Sequence, residues 1–246
     1  MAKYHIISCH VLWREICYFA ALSRHTVTFN FLEQGLHNTP DLLRLRLQEA
    51  IDAVEGEYHA ILIGYGLCCN GVVGIRARSI PLVLIKGHDC ITFFLGSRER
   101  YQEYFAQHPG TYWYTPGWIE TPKYPPPGRE QYEWLLKYYA DKYGEEYAPF
   151  LMETEQRWIK EYSNAAYVDT GLFDAEEYKN FTRECARYLG WNYDEVIGDP
   201  CLFKAMLEGR WNSSEFLVVQ PGELIVATHD EAIIGARKSD DSEPSG

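Results

Sequence analysis

Cys9, Cys68 and Cys90 have the greatest capacity for chemistry in this sequence, because each stands just past a short apolar run. Cys9 follows Tyr4-His5-Ile6-Ile7, and Cys68 follows Ala60-Ile61-Leu62-Ile63-Gly64-Tyr65-Gly66-Leu67. Cys90 follows Pro81-Leu82-Val83-Leu84-Ile85 after the break Lys86-Gly87-His88-Asp89. If these runs are neighbouring parallel strands, the three thiols meet at the carboxyl edge of a sheet, where open α/β sheets bind ligands. Three thiolates form a soft donor set suited to zinc or an iron–sulfur cluster. Three protein ligands leave one coordination position open to a substrate. No Cys-x-x-Cys pair is present, so the expectation rests on strand placement. The competing reading is three separate thiols packed as small apolar groups.

Two neighbouring segments extend the candidate site. His88 is a candidate fourth ligand or general acid/base, with Asp89 as its orienting partner; the alternative is a solvated turn. Gly64, Gly66, Asn70 and Gly71 permit a backbone close enough for N–H groups to meet an anion or cluster sulfides. The segment is neither a phosphate-binding P-loop nor a dinucleotide fingerprint, because both spacings fail. Cys69 is a spare thiol or an alternative ligand. His10 reads as a helix-start residue, and Arg14-Glu15 and Arg98-Glu99-Arg100 as solvated helix charges. Arg98 also follows Cys90 closely enough to meet an anionic substrate. Asp169 and Asp199 follow strand patterns and read as helix N-caps or as crevice residues. Cys17 and Cys185 read as structural, and Cys201, after Asp199-Pro200, as a further thiol able to approach the site. The absence of Gly-x-Ser-x-Gly and His-Glu-x-x-His disfavours a serine hydrolase or a zincin.

These residues need a scaffold that alternates strand and helix. Strands are expected at Lys3–Ser8, Thr26–Leu32, Tyr58–Gly64 and Pro81–Ile85. Helices are expected at Val11–Ser23 and from Pro40, with Thr39 as cap. Ile91–Gln107 reads as one helix, and Thr111–Thr115 as a strand. Thr121–Gly128 holds four prolines and reads as a loop. Glu130–Tyr143 and Glu146–Tyr162 read as a helical pair. Ala165–Asp169, Ala175–Leu189, Tyr193–Ile197 and Cys201–Leu207 continue the alternation. Phe216–Val219 and Leu224–Ala227 flank Gln220-Pro221-Gly222 and are expected to pair as a hairpin.

The fold expected is α/β, a Rossmann-like parallel sheet with helices on both faces, as two similar lobes or as one sheet with an inserted helical pair. The expected division is a first lobe over 1–120 carrying the cysteines, a proline-rich loop and helical insertion over 121–164, a second α/β lobe over 165–237, and a disordered tail over 238–246.

Composition narrows the function classes. The chain has 246 residues, 46% of them hydrophobic, enough for a substantial core. Its net charge of −12 and the lack of Lys/Arg clusters point away from nucleic acid. No apolar stretch approaches a membrane span of ~20 residues, and the first residues run straight into a strand pattern rather than a signal peptide. A cytoplasmic setting follows, in which thiols serve packing, metal or catalysis rather than disulfides. Aromatics make up 15% of residues and crowd between Tyr101 and Tyr193. They read as packing residues of a second layer or as the lining of a pocket.

Several of these segments together resemble one family. They are Ser8-Cys9 leading to Arg14-Glu15, Gly64-Tyr65-Gly66-Leu67-Cys68 with Asn70-Gly71, and His88-Asp89-Cys90 with Leu95-Gly96-Ser97. Gly110-Thr111-Tyr112 before Thr115-Pro116-Gly117-Trp118, and Phe216-Leu217-Val218-Val219 with Pro221-Gly222, also fit. From Tyr4 to about Ile225 the chain resembles the family called domain of unknown function 1638. The resemblance implies a thiol at each position of Cys9, Cys68 and Cys90. It also implies anaerobic bacteria and archaea, and genes near corrinoid-dependent methyltransferases. It supplies no reaction, and Cys69 and Cys201 depart from the family's pattern. The expected function is a metal-dependent protein of anaerobic one-carbon or methyl-group metabolism, acting on a small-molecule substrate, with an iron–sulfur cluster preferred to zinc. The alternative is a non-catalytic metal-binding accessory to a corrinoid protein or methyltransferase, presenting Tyr112 to Trp118 as its partner surface.

Overall fold

The structure is a computed structural model and describes residues 1–67, 70–120, 125–228, 230 and 232–238. In chain order the elements begin β1 (Lys3–Cys9), α1 (Trp13–Leu22), β2 (Thr26–Leu32), α2 (Pro40–Asp52), β3 (Ala60–Gly64), β4 (Leu82–Ile85) and α3 (Ile91–Leu95). Next come α4 (Arg98–Gln107), β5 (Thr111–Tyr114), α5 (Pro116–Glu120), α6 (Arg129–Tyr143), α7 (Ala148–Glu155), β6 (Asn164–Asp169), α8 (Glu176–Leu189) and β7 (Asn192–Ile197). The chain closes with α9 (Cys201–Leu207), β8 (Phe216–Val219), β9 (Glu223–Ala227) and β10 (Ile234–Lys238). The fold is α/β with parallel-rich sheets, as the alternating pattern requires. No helix among the described residues is long and apolar enough to cross a membrane.

The chain divides into two units, one of residues 1–97 and 199–246 and one of residues 98–198. The first therefore leaves and resumes around the second, a division different from boundaries near 120 and 165. The first unit holds a five-stranded sheet in the order β2-β1-β3-β4-β8. β2, β1, β3 and β4 run parallel, and β8 joins the β4 edge antiparallel. The chain passes from β1 outward to β2, then back across β1 to β3 and β4. With right-handed crossovers this reversal sends α1 and α2 to opposite faces. Strands covered on both faces are apolar throughout: Ile6, Ile7, Leu62, Ile63, Leu84 and Ile85 are all inaccessible to solvent.

The second unit holds a parallel sheet in the order β5-β6-β7. Its core packs Tyr114, Ala165, Tyr167, Cys185, Ala186 and Trp191. Tyr112 lies against Trp118, Trp158, Tyr162 and Trp191. Part of the aromatic crowd thus builds this core, while Trp134, Tyr138, Tyr143, Tyr147 and Phe150 are exposed. Tyr114 is fully buried and its hydroxyl donates to the Pro127 carbonyl at 2.7 Å. The expectation that Tyr112 to Trp118 forms an exposed partner surface is therefore corrected, because Tyr114, Pro116 and Gly117 are buried and Tyr112 sits within the cluster.

Three expected elements differ. Ile91–Gln107 is two helices, α3 and α4, because Gly96 takes a left-handed φ of +81° and ends α3. Thr39 precedes α2 but makes no side-chain cap. Phe216–Val219 and Leu224–Ala227 do not form a hairpin ladder. β8 pairs with β4, while β9 pairs with β10 and its Leu224 also bridges Arg76. The tail expected to be disordered lies outside the described residues from 239 onward.

Candidate functional site

The order β2-β1-β3-β4 places the topological switch point between β1 and β3, at their carboxyl ends. Open α/β sheets bind ligands at such a point, because the connections on either side leave in opposite directions. Cys9 is the last residue of β1. The β1–β3 ladder ends with Ser8 paired to Gly64, and Tyr65, the next residue after β3, reaches the Cys9 side chain. Cys9 is 7% exposed and Tyr65 2%. Burial pushes the Cys9 thiol up to about 11, opposed by hydrogen bonds from the Val11 backbone and the Tyr65 hydroxyl. At neutral pH this thiol is protonated unless a cation takes the proton's place.

Cys68 and Cys69 lie outside the described residues. The backbone leading to them is held in place, because Leu67 N–H donates to the Gly87 carbonyl at 2.8 Å. Cys90 is half-buried and stands immediately before α3. The described residues just after β3 and β4 therefore meet, Leu67 against Gly87, three residues before Cys90. Among the described residues, no group of three or more His, Cys, Asp or Glu is gathered closely enough to hold a metal ion. The three-thiol set includes Cys68 and is not contained in those residues.

The glycines have a different use from the one expected. A Cβ on Gly64 would lie 2.1 Å from Ser8 Oγ, and one on Gly66 2.9 Å from the Asp89 backbone. Both positions are filled by protein, so these residues are glycine to let strands and loops approach. Asn70 is exposed in a left-handed conformation with φ +66°. Its carbonyl accepts from Val73 N–H and from Arg44 Nη2 at 3.3 Å, which ties the loop to α2. Gly71 is buried in the same turn.

His88 is exposed. Asp89 Oδ1 accepts from Ile91 N–H at 2.9 Å, an Asx turn that starts α3. Asp89 is thereby fixed within the loop. Its carboxylate also acts on His37 in the segment after β2: burial lowers the His37 imidazole's pKa and Asp89 raises it.

Three buried polar side chains at this edge, Glu15, Gln34 and Thr92, carry no signal in the usual motifs. Glu15 on α1 is inaccessible to solvent, which corrects its reading as a solvated helix charge. Gln34, after β2, is 5% exposed, and Thr92, after β4, is 1% exposed. Gln34 Oε1, Thr92 Oγ1 and His10 Nδ1 are buried without hydrogen-bond partners. The His10 ring packs against Phe31 and Trp13. An unsatisfied buried polar atom costs about 1–3 kcal/mol, so three near one sheet edge are more consistent with a ligand site than with a core. The available sequence signal was position alone: Gln34 and Thr92 each follow a strand that ends at the switch-point edge.

The remaining candidates have structural roles. Asp199 Oδ1 accepts from Cys201 N–H at 3.0 Å in an Asx turn just ahead of α9, whose N-cap is Pro200 rather than Asp199. Cys201 is exposed and its thiol donates to the Gly96 carbonyl. Asp169 is not an N-cap; its carboxylate pairs with Lys179 at 2.8 Å and accepts from Gly171 N–H. Cys185 lies in the second unit's core, where burial raises its thiol to about 12.

No curated protein and no solved structure matches this sequence. A family model described as "Protein of unknown function (DUF1638)" matches residues 31–207, well over half of the chain and including the Cys68 and Cys90 loops. The chain belongs to the DUF1638 family.

Proposed function

We propose that Cys9, Cys68 and Cys90 hold a metal centre at the β1/β3 switch point, with one position left to a small-molecule substrate. An iron–sulfur cluster is the preferred group and zinc the second. The observation that carries this reading is the strand order, which places Cys9 at the end of β1, with the Leu67–Gly87 hydrogen bond joining the described residues just after β3 and β4.

The residues present suit such a group. Cys9 is buried and protonated on its own, so a metal taking it as a ligand would have to displace that proton. Gln34 Oε1 and Thr92 Oγ1 are buried polar atoms that a substrate could satisfy. The chemistry supplied at an open position is Lewis-acid activation of a bound thiol or water, or electron transfer if the group is a cluster. Gln34 and Thr92 would orient the substrate by hydrogen bonds. His88, exposed on the same loop, would exchange protons with solvent. The setting of anaerobic methyl-group metabolism in the cytoplasm, alongside a corrinoid protein or methyltransferase, belongs to this proposal and rests on the family resemblance.

Anaerobic purification with metal analysis and a visible spectrum tests it. Broad absorbance that bleaches with dithionite identifies a cluster, and stoichiometric zinc without colour identifies the second form. A folded protein that takes up neither metal overturns the proposal.

A further inference from the structure

We propose that Tyr65 is a positioning residue for the metal centre, its hydroxyl donating a hydrogen bond to the Cys9 sulfur when that sulfur is a metal-bound thiolate. The inference rests on the reading of Cys9 as a ligand and adds a residue not assigned there. Tyr65 directly follows Gly64, the last β3 residue paired to β1 (with Ser8), and its hydroxyl lies within hydrogen-bond reach of the Cys9 side chain. Facing residues of paired strands project from the same side of a sheet. Ser8 and Gly64 confirm the alternation, because the missing Gly64 Cβ would fall on the Ser8 side chain. The Tyr65 ring is 2% exposed and its hydroxyl is closed off from water. A phenol placed in a core normally has a polar partner. Sulfur accepts weakly as a thiol and much better as a thiolate.

A donor to a ligand sulfur removes electron density from it and holds its orientation. Outer-shell partners of this type are typically worth about 10–100-fold in metal affinity. The hydrogen bond also stabilises the sulfur lone pair, so sulfur-to-metal charge transfer needs more energy while it is present.

The test uses the full chain with cobalt(II) as probe, titrated anaerobically into wild type and Tyr65→Phe. The substitution deletes one oxygen and keeps the ring. We expect about 10-fold weaker binding or more, and a sulfur-to-cobalt band moved to lower energy. Tyr65→His, which keeps a ring N–H donor, should recover part of both effects. If Tyr65→Phe does not fold, wild type grown with 3-fluorotyrosine serves instead: a more acidic phenol must move the band to higher energy. A wild type lacking any sulfur-to-cobalt band contradicts the metal reading itself. A wild type with the band, and a variant or fluorinated protein with the same band and affinity, overturns the role of Tyr65 alone.

Discussion

The two parallel sheets of this chain treat their polar groups in opposite ways. In the second unit, Asp169 at the end of β6 pairs with Lys179, which also reaches Glu195 at 3.1 Å on β7. Glu195 in turn pairs with Arg183 and accepts from the Tyr193 hydroxyl at 2.8 Å. In the first unit, the segments after β1, β2 and β4 keep buried polar atoms with no partner, beside a protonated thiol. The same architecture can therefore close its polar groups on one another or leave them for a ligand. Burial combined with incomplete pairing, rather than the fold itself, separates a candidate site from a scaffold.

The largest expected contrast is in metal uptake. Cys9→Ser should abolish stoichiometric metal in anaerobically prepared protein. Cys185→Ser, in the other unit's core, should leave it unchanged, as measured by elemental analysis. Equal metal loss in both would erase the distinction between the units.

A smaller effect separates the glycines. Gly66→Ala forces a methyl against the Asp89 backbone and should cost about 1–3 kcal/mol in denaturant unfolding, the usual range for overpacking. Gly171→Ala meets nothing within 4 Å and carries only the strain of its φ of +68°, so about 1 kcal/mol is expected. Equal costs would show that the β3 and β4 loops do not pack as described.

These contrasts also mark how far the sequence could be read. The alternation of strands and helices through β4 is legible because buried parallel strands are short apolar runs and the helices between them are amphipathic. The alternation places Cys9 and Cys90 after strands, but the strand order that sets the switch point is visible only in the sheet. The break at Gly96 is hidden because apolar periodicity continues on both sides of one residue with positive φ. The β8–β9 hairpin fails because Pro221-Gly222 signals a turn but not what each strand pairs with. β8 pairs with β4 more than a hundred positions earlier, a contact with no local signature. Glu15 reads as solvated because a charged residue on a helix usually is, and only burial shows otherwise. Gln34 and Thr92 lie in no motif, and only burial distinguishes them.

Replacing Lys179 with Met tests the self-satisfied network of the second unit. These groups are partly exposed, so screening limits the loss to under ~1 kcal/mol, read as a small fall in Tm. A larger loss would mean the second sheet edge depends on its charges more than solvent-screened pairs do.

The smallest effect is on acid stability in the first unit, away from the switch point. The Arg78 guanidinium, bonded to Asp52 at 2.8 Å and 2.9 Å, holds that carboxyl below its ordinary 3.8. A depressed carboxylate contributes stability above its unfolded value and loses it as pH falls through the folded value. Arg78→Met should therefore flatten the stability profile below pH 3.8 by a few tenths of a kcal/mol. An unchanged profile would remove this pair from the account.

X-ray absorption at the metal edge of anaerobically purified protein tests the metal centre most directly. The account predicts sulfur scatterers about 2.3 Å from the metal, with one protein sulfur lost in each of Cys9→Ser, Cys68→Ser and Cys90→Ser. Coordination by nitrogen and oxygen alone, or a sulfur shell unchanged in all three variants, would contradict it.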